Sequence, residues 1–492
     1  MMGQHSRSES LFYYFRIEDQ IPEHHLLRLI DRHISFDFVH EKLKDFYSDT
    51  GRPSIDPELL LRILLIGYLY GVTSERKLID ELRMHLAWRW FTGLNFDQEL
   101  PHHSTFSKNR HGRFQESNIF QELFEEIVNC CKGLGLVEGE DLSVDGTFVQ
   151  ANASKSSRIH REQLTEVAHV KRTVREYLAD LEQENPAEVP AHPQEMISTT
   201  DPDATYFTKG ERPAELGYFD NYLVDNQSCV ILGVQATAAS SNLERVAARE
   251  MITRSAETQG RFPHSVAADT AYGSGELLAW LEERGITSFI PVREHPAPKN
   301  NLYGIEKFAY DPETNSYQCP EGKQLKYIGV KLANRSHIYR ATIGKCGNCS
   351  QKPNCTTGRY RQIVVHINES VRQRARERAN IPAFAVAQRQ RRKVEALFAE
   401  LKNQIGLQRV RLRRIKFIRE QFLLAASAQN LKRLARFLKR RSLQSVAASI
   451  QDKKERGIPS KFPNTASSPD LQQIRDFFNT HGINGHFRAN RS

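Results

Sequence analysis

Long apolar runs are scarce in this 492-residue chain. The longest, LLLRILLIGYLYG from Leu59, is broken by Arg62 and falls short of the ~20 residues needed to cross a bilayer. The amino terminus, MMGQHSRSESLFYYF, lacks the basic region, apolar core and small-residue cleavage site that export requires. Both absences predict a cytoplasmic protein without a membrane partner. Cysteine is also sparse: there are seven, four in one short region, so a disulfide scaffold is not expected. Cys130, Cys131 and Cys229 sit among apolar neighbours and read as small buried side chains.

The chain contains 39% hydrophobic and 26% charged residues, which fits a globular protein of two to four structural units. Its formal net charge of +10 is unevenly spread. From 401 to 440 there are twelve Lys or Arg and one acid, Glu420, a local excess suited to a polyanion.

Residues 1–50 read as an amino-terminal arm, and 51–137 as helical. Leu60, Ile63, Leu64 and Gly67 share a face, Gly71 breaks the run, and Thr73 or Ser74 can cap the next helix. That helix carries Leu78, Leu82, Leu86 and the aromatics from Trp88 to Phe91. Arg76, Lys77, Arg83, Lys108 and Arg110 suit either a helix-turn-helix-like DNA reader or the solvated face of a bundle. Near 140 the period changes to that of a strand in LSVDGTFV. Residues 138–294 then give strand, hairpin (YFDNYLVD with CVILGVQAT), helix, strand, helix, strand, with a polar insertion near 154–215. That order predicts a mixed α/β core. A cysteine-containing insertion spans 295–370, basic helices span 371–445, and 446–492 reads as a flexible tail.

Three acids stand out. Asp145 interrupts an apolar strand pattern and Asp269 ends another, where a carboxylate needs solvent, donors or a cation. A helix cap or turn bond is the ordinary alternative for each. Glu395 borders the apolar stripe of Val394, Leu397, Phe398, Leu401 and Ile405. In one continuous helix, Arg391 and Lys402 would share its angular position, while Glu400 would lie about 140° away. Gathered together, such carboxylates would suit Mg²⁺ or Mn²⁺, hard cations that take oxygen ligands. Two ions about 3.5–4 Å apart could activate a water or a DNA 3′-hydroxyl. Arg391 and Lys402 would then orient phosphate. Separately, Cys319, Cys346, Cys349 and Cys355 could hold one structural Zn²⁺, remain reduced without metal, or act in redox chemistry.

At SVDGTFVQANAS, at Asp269 with Tyr272 and Gly273, and at Arg391, Glu395 and Lys402, the chain resembles DDE transposases of bacterial insertion sequences. The similarity is to the branch whose glutamate helix carries a Tyr, Arg, Glu, Lys signature. GRPSIDPELLLR and HSTFSKNR resemble that family's amino-terminal domain. The tyrosine position holds Gln388, a departure from the family pattern. The resemblance implies a ribonuclease H-like core with Asp145, Asp269 and Glu395 as catalytic, metal-binding residues. It also implies double-stranded DNA partners (terminal inverted repeats and target DNA), a nucleoid-associated location in a bacterium, and a homodimer holding two ends. A nuclease without strand transfer and an inactive DNA-binding regulator are the rival expectations. A purely structural helical adaptor would leave the strand-edge acids without a role.

Overall fold

The structure is a computed structural model describing residues 14–48, 50, 54–184, 196–208, 213–293, 302–332 and 335–455. The first helices are α1 (Leu26–His33), α2 (Phe38–Leu43), α3 (Pro57–Leu69), α4 (Glu75–Met84), α5 (Leu86–Thr92), α6 (Ser104–Asn109) and α7 (Ile119–Gly133). Helix α3 begins as its sequence demands, with Pro57 in the first turn and Asp56 accepting from the Glu58 N–H. Arg62, the interruption in the apolar run, donates to Glu58, Asp31 and the Phe91 carbonyl, so its charge is paired at the core's edge. Ser74 caps α4 through the Lys77 N–H. The single helix expected through the aromatics is instead two, because His85 is extended (φ −100°, ψ 109°). The arm is also more than an arm, since Leu27, Ile30, Val39 and Leu43 are buried in the main core.

The central sheet contains β1 (Asp141–Gln150), β4 (Thr205–Phe207), β5 (Glu215–Asp225), β6 (Ile231–Ala238), β7 (Ser265–Ala267) and β8 (Thr287–Phe289). Its order is β6-β5-β1-β7-β8, with β4 also on β5. The β1–β5 and β5–β6 pairs are antiparallel, whereas β1–β7 and β7–β8 are parallel. This is the mixed sheet of a ribonuclease H-like core. The expected hairpin is β5 and β6.

Helix α10 (Ser241–Gln259) covers one face; Met251 lies where a side chain on Gly233 would project, beside Leu223. The opposite face meets α14 (Pro382–Arg391), α15 (Lys393–Asn403) and α16 (Ile415–Glu455). There Tyr222 packs on Phe398 and its hydroxyl donates to Gln429. Between α10 and these helices in sequence lie α11 (Gly275–Glu283), α12 (Lys352–Cys355) and α13 (Glu369–Arg378). Helix α16 continues to Glu455, beyond 446 where the sequence pattern placed a tail; residues 456–492 lie outside the described residues.

Two insertions extend from the core. The first holds β2 (Arg158–His160), β3 (Met196–Ser198), α8 (Leu164–Ala168) and α9 (Arg172–Glu184) around Leu164, Val174, Tyr177 and Ile197. The second is an antiparallel sheet in the order β13-β12-β11-β10-β9. Its strands are β9 (Ala309–Asp311), β10 (Ser316–Gln318), β11 (Gln324–Lys331), β12 (Ser336–Ala341) and β13 (Gln362–His366). Burial of Phe308, Tyr317, Leu325, Tyr339, Ile363 and Val365 gives it a core of its own.

Candidate active site

Asp145 lies on β1, and Ser143 two residues earlier pairs in parallel with Ala267 on β7. Counting two residues onward in each strand brings Asp145 level with Asp269, just past the last pair. Asp145, midway along β1, thus stands beside the point where β7 ends and Asp269 follows. Asp269 opens a short turn through Thr270–Tyr272, its Oδ1 accepting from the Ala271 N–H at 2.8 Å. The turn-bonding alternative therefore holds for one of its oxygens. Asp145 Oδ1 accepts from the Gly146 N–H at 2.9 Å, and Oδ2 from Arg391 Nη1 at 2.8 Å.

Arg391 organises this corner. Its Nε donates to Gln388 Oε1 at 3.1 Å, and its Nη2 stands 3.7 Å from Glu395 Oε1. The guanidinium and Asp145 carboxylate are each 14% exposed, whereas Glu395 is 63% exposed. A cation thus lies between two of the expected carboxylates, and the pair is sheltered enough for charge to matter. Gln388, where the sequence resemblance leads one to expect a tyrosine, has a structural task. Its Nε2 donates to the carbonyls of Ala268 and Phe289 at 3.0 and 2.6 Å, tying α14 to the ends of β7 and β8.

The single helix expected over 391–402 is two. Helix α14 ends at Arg391 and α15 starts at Lys393. Arg392 stays in the right-handed region (φ −58°, ψ −19°), and the Glu395 N–H reaches back only to the Arg392 carbonyl. The local tightening preserves the Arg391–Glu395 approach. Lys402 is half-buried and electrostatically close to Asp220, whose carboxyl pKa is pushed up by burial and opposed by Tyr222 and Lys402. Asp220 pairs across from Thr147, two positions along β1 from Asp145. Glu400 points elsewhere, with Arg433 Nη2 at 3.0 Å and Lys432 Nζ at 3.6 Å.

Asp220 escaped the sequence reading although the clue used for Asp145, an acid inside an apolar strand, applies equally to YFDNYLVD. Glu244, like Asp145 and Asp269, lies close enough to Tyr272 for its charge to be felt there. In sequence it is an acid in a helix's first turn, indistinguishable from one placed there by the helix dipole.

Several basic residues serve the fold instead of an outer surface. Arg110 is buried, bonded to Glu75 at 2.6 Å, and 3.5 Å from Glu420. Arg414 reaches Asp180 and Asp203 in the first insertion, and Arg411 stacks over Tyr68. Arg76, Lys77, Arg83 and Lys108 remain exposed.

The four clustered cysteines are free thiols. Burial, followed by weaker influences that include the neighbouring Cys346, Cys319 and Cys349, raises the Cys355 pKa. Cys319 Sγ accepts from the Lys323 N–H at 3.3 Å in a tight turn with Gly322 at φ +72°. Among the described residues, no three His, Cys, Asp or Glu side chains are arranged to hold a metal ion as placed.

Residues 15–112 match a family model described as Transposase domain (DUF772), and 318–435 match one described as Transposase DDE domain. The chain carries a DDE-transposase-family domain. Glu395, Arg391 and Lys402 fall inside the second match; Asp145 and Asp269 precede it. No curated protein matches the chain. Among solved structures, a piggyBac transposase synaptic complex with hairpin DNA aligns at 11% identity, covering 95% of this chain and 86% of that one. Its TM-score is 0.31, too low to bear on function. Among the described residues, no helix is long and apolar enough to cross a membrane.

Proposed function

We propose that this protein is a DNA transposase of the bacterial insertion-sequence type, cutting element ends and joining them to target DNA. The observation that carries the reading is that Asp145, midway along β1, lies level with Asp269 just past the end of the neighbouring β7, with Arg391 bonded to Asp145 and 3.7 Å from Glu395. The donors are oxygens of the hard kind that suit Mg²⁺ or Mn²⁺. Arg391 marks where these carboxylates call for positive charge. Asp145, Asp269 and Glu395 would hold the ions once Arg391 turns aside to a phosphate. When bound, two ions supply activation of water or a DNA 3′-hydroxyl and stabilisation of the leaving oxygen.

The chain's own residues do the rest. Gln388 fixes the backbone before Asp269, Arg391 exchanges a carboxylate for a phosphate, and Lys402 adds positive charge beside Asp220. The amino-terminal helices, with Arg76, Lys77, Arg83 and Lys108 exposed, are assigned to reading terminal inverted repeats on double-stranded DNA. Holding two ends for coordinated joining calls for a homodimer. For the insertion, Cys319, Cys346, Cys349 and Cys355 have the soft donors that suit one structural Zn²⁺.

The deciding experiment incubates the purified protein with its element's ends, target plasmid and Mg²⁺ or Mn²⁺, then maps the products. Cleaved ends and joined products support transposition. Cleavage without joining assigns a nuclease, and binding without either assigns a regulator.

A further inference from the structure

Behind the two aspartates, on the side of β1 turned towards α10, three side-chain oxygens converge over Gly146. A Cβ built on that glycine would stand 2.6 Å from Glu244 Oε1, 2.8 Å from Asn221 Oδ1 and 3.4 Å from the Tyr272 hydroxyl. Only a residue without a side chain fits there.

Two of these oxygens are orphaned. Asn221 is fully buried; its Nδ2 donates to the Gln235 carbonyl and Thr237 Oγ1, while Oδ1 receives no hydrogen bond. Tyr272 is 1% exposed and its hydroxyl has no partner. An amide oxygen and a carboxylate oxygen turned towards one spot repel unless a donor or cation lies among them. The Tyr272 hydroxyl has one proton and can satisfy only one of them.

The cluster is continuous with the catalytic corner. Burial raises the Tyr272 pKa most, followed by the negative charges of Glu244, Asp145 and Asp269, with Arg391 opposing. The residue after Glu244 reinforces the link, since Arg245 Nη1 donates to the Ala271 carbonyl at 3.2 Å and holds the Asp269 turn against α10.

We propose that Glu244 is a fourth acidic residue of the catalytic site, forming with Asn221 Oδ1 an inner divalent-cation position behind Asp145 and Asp269. This inference rests on the metal-dependent DNA-cutting reading above. Carboxylate and amide oxygens are the ligands that Mg²⁺ and Mn²⁺ prefer. The inner half is buried and fixed by strand and helix, whereas Glu395 faces solvent on the outer side. The first ion is therefore expected to bind before DNA arrives.

The test is Mn²⁺ binding to the full chain without DNA, by calorimetry and electron paramagnetic resonance, alongside thermal melting in metal-free buffer. Glu244→Gln should weaken the first Mn²⁺ by about tenfold or more with little change in melting, and Asp145→Asn should do the same. Wild-type Mn²⁺ affinity in Glu244→Gln, with loss in Asp145→Asn, would overturn the inner position and leave the catalytic reading standing. Wild-type affinity in both would overturn both. Iron-driven oxidative cleavage of the unmodified chain removes any dependence on how the variants fold. Cuts near 221 and 244 as well as 145 and 269 are expected, and cuts confined to 145 and 269 would refute the proposal.

Discussion

Glu395→Gln and Glu400→Gln each remove one carboxylate charge from α15, and the structure assigns them opposite consequences. Glu395 is 63% exposed and its nearest cation, Arg391, stands 3.7 Å away. An exposed pair of that kind contributes about 0–1 kcal/mol, so stability should hardly change. Glu400 is 8% exposed, with Arg433, itself 12% exposed, at 3.0 Å. Breaking a buried pair by removing one partner costs about 3–5 kcal/mol. The glutamine can still accept from Arg433, which leaves a cost of about 2–3 kcal/mol. At roughly 2 °C per kcal/mol in a chain of this size, Glu400→Gln should melt about 5 °C lower. Glu395→Gln should melt like the wild type. Cleavage of element ends, measured well below either transition and normalised to folded protein, should vanish in Glu395→Gln and persist in Glu400→Gln. Full cleavage by Glu395→Gln together with none by folded Glu400→Gln would refute the assignment of the third acid.

Other perturbations probe different parts of the same structure. Asp145→Asn and Asp269→Asn should each abolish cleavage while leaving end binding largely intact in a gel-shift assay; retained cleavage in either would remove it from the site. Gln388→Ala loses both bonds to the Ala268 and Phe289 carbonyls, at a cost of about 1–3 kcal/mol, and cleavage should fall while end binding holds. Unchanged cleavage would show that the tether does not position Asp269. Burial, opposed by Arg110, lifts the Glu420 carboxyl from 4.5 to about 8. Its contribution to stability is therefore complete below pH 4.5 and lost as pH rises through about 8. Urea unfolding of Glu420→Gln should show a flatter decline over that range, and parallel curves for both proteins would contradict the assignment. Protein purified without added metal should carry about one zinc per chain, lost in Cys346→Ser/Cys349→Ser. Absence of zinc in the native protein would dismiss that site.

The alternation of LSVDGTFV and the hairpin YFDNYLVD–CVILGVQAT were legible because burial on one or both faces of a sheet leaves a local imprint. Asp145, Asp269 and Glu395 were legible as carboxylates costly to bury or set beside an apolar stripe. The two-helix form of 382–403 was hidden, since Arg392 keeps helical dihedrals and only the hydrogen-bond pattern changes. Arg110 and Arg414 looked available to phosphate, because a sequence does not reveal which acids will neutralise its bases.

By itself, the sequence determined which segments bury a face, where helices start and which acids stand in unfavourable surroundings, all consequences of residues within a few positions of one another. Only the tertiary structure decided that Arg391 meets Asp145 across 246 positions. It also decided that Gly71, at φ +69°, closes against the chain after α15, where an added Cβ would meet the Gln404 carbonyl at 2.1 Å. Glu244 likewise joins Asn221 and Tyr272 over Gly146 only through the packing of α10 on the sheet. Such meetings depend on how helices and strands pack, and packing depends on side chains from the whole chain at once.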